Sequence, residues 1–163
     1  MRVVLIGFMG AGKTTVAKQL SELSSLPWLE MDALVLEKTG AKNMGEVFAM
    51  GGELLLRETE IAIAKEWGDR EYPIISTGGG VVHNQIIVDY FKAGGAKIVF
   101  LHAPFEEIAK RLESDRTRPL FSDLRGAKKL YDLRLPLYLH SADLVVEAAG
   151  RAPDEIARII IGK

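Results

Sequence analysis

The sequence predicts an α/β fold with three layers, α/β/α, around a five-stranded parallel sheet. Two observations predict it. Short apolar, β-branched runs stop abruptly at glycine or polar residues, as strands covered on both faces do. Helical stretches separate these runs, and strands alternating with helices build a parallel sheet through right-handed crossovers.

The first strand is Val3-Val4-Leu5-Ile6, stopped by Gly7. Ile74-Ile75-Ser76, ahead of Gly78, and Lys97-Ile98-Val99-Phe100-Leu101 have the same character, Asp143-Leu144-Val145-Val146 is a fourth strand, and Trp28-Leu29-Glu30 is a short fifth. Helices are expected over 13–24, 33–38, 43–67 with a break near Gly51-Gly52, 84–93, 104–113, 126–140 and 153–161. Ser114 to Arg125 is polar, carries Arg116, Arg118 and Pro119, and interrupts two helices, so it is a candidate lid.

A chain of 163 residues is expected to form one domain, 1–163, able to bury roughly two-thirds of its unfolded surface without a disulfide or structural metal. With 48% hydrophobic and 26% charged residues it falls in the globular class and outside the disordered one. Lys and Arg (21) nearly balance Asp and Glu (22), which removes the global positive field that holds a nucleic-acid backbone, so no nucleic-acid partner is expected. The absence of cysteine excludes disulfide and thiolate chemistry and fits a reducing compartment. No apolar run approaches the ~20 residues of a spanning helix, and Arg2 to Ile6 runs straight into a glycine turn, unlike a secretory leader. The expectation is a cytoplasmic monomer with no membrane partner.

Gly7-Phe8-Met9-Gly10-Ala11-Gly12-Lys13-Thr14 matches G-x-x-x-x-G-K-[ST] after a strand and at the start of a helix, the context the motif requires. Glycines let the loop curl until successive backbone N–H groups point inward, and the helix N-terminus adds partial positive charge. Such a cradle holds the phosphates of a nucleoside triphosphate. Lys13 reaches the β and γ phosphates, and the Thr14 hydroxyl completes a Mg²⁺ shell bridging them. The donor is therefore legible; the acceptor has to come from elsewhere.

Three features are placed to converge on one cleft. Glu30-Met31-Asp32 closes the second strand, and carboxylates at i and i+2 of an extended segment face one side; capping of the next helix is the alternative for Asp32. Gly51-Gly52-Glu53 precedes Arg57 and Glu60, whose i, i+3 spacing also suits an exposed helical ion pair. Ser76-Thr77-Gly78-Gly79-Gly80 ends a strand in three glycines, where backbone can approach a ligand at the carboxyl edge of a parallel sheet; a merely flexible loop is the alternative.

Taken together, GFMGAGKT at 7–14, Asp32, Phe48 with GGELLLR at 51–57, GGG at 78–80, RPL at 118–120 and RLPLY at 134–138 followed by Ala142-Asp143 resemble the shikimate kinases over nearly the whole chain. The resemblance implies the P-loop NTPase fold of the nucleoside-monophosphate-kinase-like type, with an acceptor-binding region at about 32–60 and a lid at about 114–125. It implies transfer of the γ-phosphate of ATP to the 3-hydroxyl of shikimate, a step of aromatic amino-acid biosynthesis. Under it Gly10, Ala11, Gly12, Lys13, Thr14 and Thr15 bind ATP. Arg57 and Arg134 hold the acceptor carboxylate, which a guanidinium fork suits. Asp32 accepts from the ring hydroxyls and Gly78, Gly79 and Gly80 close the other side. Arg118 comes down with the lid onto the transferring phosphoryl group, with Arg116 close enough to fill that role and a solvated basic loop as the alternative. Arg111, Arg151 and Pro153 flank the adenine, unless those arginines only cover apolar surface with their stems. Mg²⁺ is held by Thr14 and, through water, by Glu30.

The chain departs from the family pattern at Glu30, usually aspartate, and at Leu56, usually aromatic, where one ring of the substrate wall is expected to be lost. His83, His102 and His140 lack metal-ligand spacing and read as structural. Rival readings are a kinase for quinate, gluconate or a nucleoside monophosphate, and a non-catalytic ATP-binding regulatory protein. Asp32, with Lys13 and Arg118 the expected catalytic group, is read as an orienting residue more than a base, because a loose phosphoryl-transfer transition state needs little deprotonation of the alcohol.

Overall fold

The computed structural model describes residues 1–67, 72–113 and 124–162. Five strands, β1 (Val3–Ile6), β2 (Trp28–Glu30), β3 (Ile74–Ser76), β4 (Lys97–His102) and β5 (Leu144–Glu147), form one parallel sheet in the order β2-β3-β1-β4-β5. The register pairs Leu5 with Ser76 on one side and with Val99 on the other, so the carboxyl ends of the three inner strands come level. β1 is buried at every position and β3 likewise, which explains their uninterrupted apolar spelling.

The helices are α1 (Lys13–Ser24), α2 (Met31–Thr39), α3 (Met44–Glu66), α4 (Gln85–Ala93), α5 (Phe105–Glu113), α6 (Leu124–Ser141) and α7 (Pro153–Ile161). The expected α/β architecture is borne out, with boundaries within a few residues. Two differences bear on the site. α2 starts directly after β2, at Met31, so Asp32 lies in a first helical turn and not on an extended segment; the i, i+2 strand argument for Glu30 and Asp32 fails. The end of the expected lid, Leu124 and Arg125, opens α6, while 114–123, with Arg116 and Arg118, lies outside the described residues.

The break foreseen in α3 falls on Gly52, at φ 68° and ψ −160°, a conformation a side chain would resist. It divides an amino-terminal arm carrying Phe48 from the longer segment carrying Arg57 and Glu60. The core runs on both faces of the sheet, with Phe8, Phe91, Phe100, Trp67 and Tyr138 among its largest fully buried side chains. Among the described residues, no helix is long and apolar enough to cross a membrane.

Candidate active site

The loop between β1 and α1 is held open by backbone conformation. Gly10 and Gly12 adopt φ of 83° and 95°, and a Cβ on Gly7 would lie 2.9 Å from the Leu101 carbonyl. No side chain caps α1, so its leading N–H groups face the loop's interior. Lys13 is buried and folds into the curl, its Nζ donating to the carbonyls of Gly7 (2.5 Å) and Phe8 (3.1 Å). Phe8 anchors the loop from below, edge-on to Tyr131 of α6 at 5.4 Å between ring centroids. The Thr14 hydroxyl donates to the Glu30 carboxylate across from α1 to the end of β2.

A cavity of about 1240 Å³ opens above this loop. Gly10, Ala11, Gly12, Lys13, Thr14 and Thr15 line one part of it, with Arg111, Arg151 and Pro153 at one end and Glu30, Asp32, Gly78 and Gly79 at the other. Arg111 is tied to the loop, donating through Nη1 to the Gly10 carbonyl at 2.9 Å and through Nη2 to Glu107. Leu112, Ala148 and Ile156 give that end apolar walls.

The acceptor-side residues meet around the turn after β3. Thr77 extends the pairing with β1, its N–H and hydroxyl both donating to the Leu5 carbonyl, which fixes the three glycines level with the phosphate loop. Each glycine faces a different charged side chain. A Cβ on Gly78 would sit 3.4 Å from Asp32 Oδ1, one on Gly79 2.9 Å from Arg134 Nη1, and one on Gly80 would overlap the Arg57 guanidinium. Gly78, Gly79 and Gly80 are not among the glycines with positive φ, so at Gly79 and Gly80 it is the approach of the two guanidiniums, not backbone conformation, that a side chain would meet. Asp32 is the second residue of α2 and Glu30 holds the N-cap position, so Asp32 is not the N-cap residue that the capping alternative required.

The Arg57–Glu60 pair is not the exposed ion pair that spacing allowed. Glu60 is 1% exposed and takes Arg57 Nη1 at 2.6 Å, while Arg57 Nη2 reaches Glu53 at 3.3 Å. Burial pushes the Glu60 carboxyl up to about 6, against the pull of Arg57. Arg134 and Tyr138 stand one turn apart on α6 and share a face. Arg134 is 8% exposed, and burial draws its guanidinium below the usual arginine range. Burial likewise pushes the Tyr138 phenol up to about 12, so it stays a donor, to the Gly79 carbonyl at 2.6 Å.

Sequence reasoning missed four things. Leu56, expected at the substrate wall, is buried in the core; like Arg57, Gly80 and Arg134 it lies outside the lining of the large cavity, to which Met44, Gly45 and Phe48 contribute. Glu60 is an interior group. Tyr138 reaches the glycine turn. His83, read as structural, accepts from Arg134 Nε at 3.1 Å. A signal existed for Tyr138 alone, in its i, i+4 spacing from Arg134.

The model of the shikimate kinase family matches residues 9–163. A shikimate kinase of Caldicellulosiruptor bescii is 36% identical, with 98% of this chain and 92% of that protein aligned, and one of Enterococcus faecalis is 34% identical over 98% and 95%. The structure of shikimate kinase from Acinetobacter baumannii in complex with shikimate superposes with a TM-score of 0.87 at 31% identity, covering 98% of this chain and 90% of that one. With a phosphate loop and a charged glycine turn brought to one edge of the same sheet, the chain belongs to the shikimate kinase family.

Proposed function

We propose that the chain phosphorylates the 3-hydroxyl of shikimate at the expense of ATP, giving shikimate 3-phosphate and ADP. The observation that carries this reading is the glycine turn at Gly78–Gly80, which gathers Asp32, Arg134 and Arg57 beside the phosphate loop. Two guanidiniums and one carboxylate around a turn of three glycines suit a small acid bearing hydroxyls.

In this reading Arg57 and Arg134 clamp the acceptor carboxylate, and Asp32 accepts from a ring hydroxyl, turning the 3-hydroxyl toward the γ-phosphate. Positioning of this kind supplies much of the rate in phosphoryl transfer, because the loose transition state asks little covalent work of the protein. Lys13 and the N–H groups of Gly10 to Thr15 hold the phosphates as charge shifts to the β–γ bridge. Arg118, outside the described residues, is proposed to meet the transferring group from the lid, with Arg116 as its rival, and closure there excludes water as a competing acceptor. Arg111, Arg151 and Pro153 border the adenine end.

The adjacent hydroxyl of Thr14 and carboxylate of Glu30 are hard oxygen donors, fitting Mg²⁺, which keeps most of its shell as water and phosphate oxygen. Thr14 would ligate it directly and Glu30 through water, and when bound it neutralises charge on the β and γ phosphates. A monomer belongs to the same proposal, since one chain supplies both halves of the site, and so does a cytoplasmic location, which the lack of cysteine fits. Light scattering at the 17.9 kDa monomer mass tests the first.

The test of function is ADP release with Mg-ATP against shikimate, quinate, gluconate and AMP. Shikimate should stimulate release far above the others. Stimulation by another of these and none by shikimate overturns the assignment, and no stimulation by any of them returns the chain to a nucleotide-binding role.

A further inference from the structure

His83 lies outside the set of groups that the phosphoryl transfer uses, yet one of its ring nitrogens is engaged. The short 3₁₀ turn Val81–His83 follows the glycines immediately; Val81 and Val82 are buried, and the His83 N–H donates to the Gly80 carbonyl at 3.2 Å. The turn is therefore anchored while its last side chain stays exposed. From there His83 Nε2 lies 3.1 Å from Arg134 Nε.

We infer that His83 is a positioning residue for the acceptor site, holding the Nε edge of the Arg134 guanidinium so that the terminal nitrogens are the ones that meet the acceptor carboxylate. The inference rests on the assignment of Arg134 to that carboxylate. A guanidinium can offer a carboxylate either its side edge, Nε with one Nη, or its end, both Nη nitrogens. Here the side edge is occupied. Tyr138, hydrogen-bonded to Arg134 and donating to the Gly79 carbonyl, steadies the group from the glycine side, and the Phe8 ring lies 5.9 Å from the guanidinium carbon.

For this contact His83 has to be the neutral imidazole with its proton on Nδ1, because Arg134 Nε is a donor only. The surroundings favour that form. Partial burial lowers the His83 pKa first, and the positive charges of Arg134 and Arg57 lower it further, with Glu53 opposing them. The bond is part-buried and its donor belongs to the buried Arg134 side chain, so it fixes which edge of that guanidinium is taken.

The test compares His83→Leu, which removes the acceptor, with His83→Gln, whose amide oxygen can accept from Nε. Steady-state kinetics at neutral pH should show KM for shikimate raised about five-fold by leucine, the range of a net hydrogen bond. Both kcat and KM for ATP should stay within about two-fold, and glutamine should return KM to within about two-fold of the parent. An unchanged KM in His83→Leu, an equal rise in KM for ATP, or a glutamine variant as impaired as leucine would overturn the inference. Should His83→Leu lose its cooperative melt, His83→Ala carries the same comparison with glutamine. A parent chain that does not phosphorylate shikimate overturns the functional reading and this inference together; an active parent with indifferent variants overturns the inference alone.

Discussion

The two halves of the site use glycine for opposite reasons. In the donor half, Gly7, Gly10 and Gly12 have φ of 154°, 83° and 95°, values L side chains rarely adopt, so there the residue is demanded by backbone conformation. In the acceptor half, Gly78, Gly79 and Gly80 avoid positive φ, and at Gly79 and Gly80 it is the guanidiniums of Arg134 and Arg57 that crowd the place of a Cβ, while one at Gly78 would make ordinary contact with Asp32. The donor half is one continuous stretch whose chemistry is mostly its own N–H groups. The acceptor half is assembled from α2, α3, α6 and the turn after β3, and its chemistry is in side chains. A contiguous backbone site announces itself as a motif, whereas a dispersed side-chain site shows only as scattered residues until the fold collects them.

The sharpest break between the halves should come from Lys13. Lys13→Ala removes a cation from the phosphate cradle and should lower kcat by about 10³ or more, in the range for losing a charge-stabilising donor. The fold should persist, read by a cooperative melt, because the core on both faces of the sheet is built from other side chains. An unchanged rate would refute the cradle. Arg57→Ala should act on the other half, raising KM for the acid by about one to two decades, as loss of a hydrogen bond to a charged group does, with KM for ATP nearly constant. Equal effects on both substrates would mean that Arg57 serves the folding of α3 and not the acceptor.

That difference also explains what the amino-acid sequence disclosed. The five strands and most helix limits were legible because buried parallel strands spell continuous apolar runs, and the phosphate loop because its spacing is local. The start of α2 was not, since nothing in Trp28-Leu29-Glu30-Met31 marks the passage from strand to helix without a turn residue. Glu60 could not be told from a solvated helix residue, because its burial is imposed by the turn after β3, distant in sequence. Leu56 was misplaced by one helical step: beside Arg57 in sequence, it points into the core while Arg57 points at Gly80.

Glu60 sharpens the comparison from the side of stability. Its folded pKa, about 6, lies above the ordinary glutamate value of 4.5, so between those values the folded chain binds more protons than the unfolded one. The contribution is fully present below pH 4.5 and is lost as pH rises through about 6, a loss of about 2 kcal/mol. Urea unfolding across this window should show the parent losing stability relative to Glu60→Gln. A difference between the two that does not change with pH would place Glu60 in a solvated environment.

The smallest effect discriminates best between the two uses of glycine. Gly79 is where the halves touch: a Cβ there would lie 2.9 Å from Arg134 Nη1 and 3.7 Å from the Gly7 carbonyl. Gly79→Ala needs no unfavourable φ, so its unfolding midpoint should stay near that of the parent while Arg134 is pushed aside, raising KM for the acid about ten-fold, or ~1.4 kcal/mol. Gly10→Ala should do the reverse. At φ 83° an alanine carries roughly 1–2 kcal/mol of left-handed strain, and its methyl would also meet Leu112 at 3.3 Å, so stability falls and KM for ATP rises. Measuring unfolding midpoint and both KM values for the two variants gives a crossed pattern if space governs one half and conformation the other. A Gly79→Ala protein as destabilised as Gly10→Ala, with its acid KM unmoved, would show that the turn after β3 is glycine for its backbone after all, and that Arg134 has room to yield.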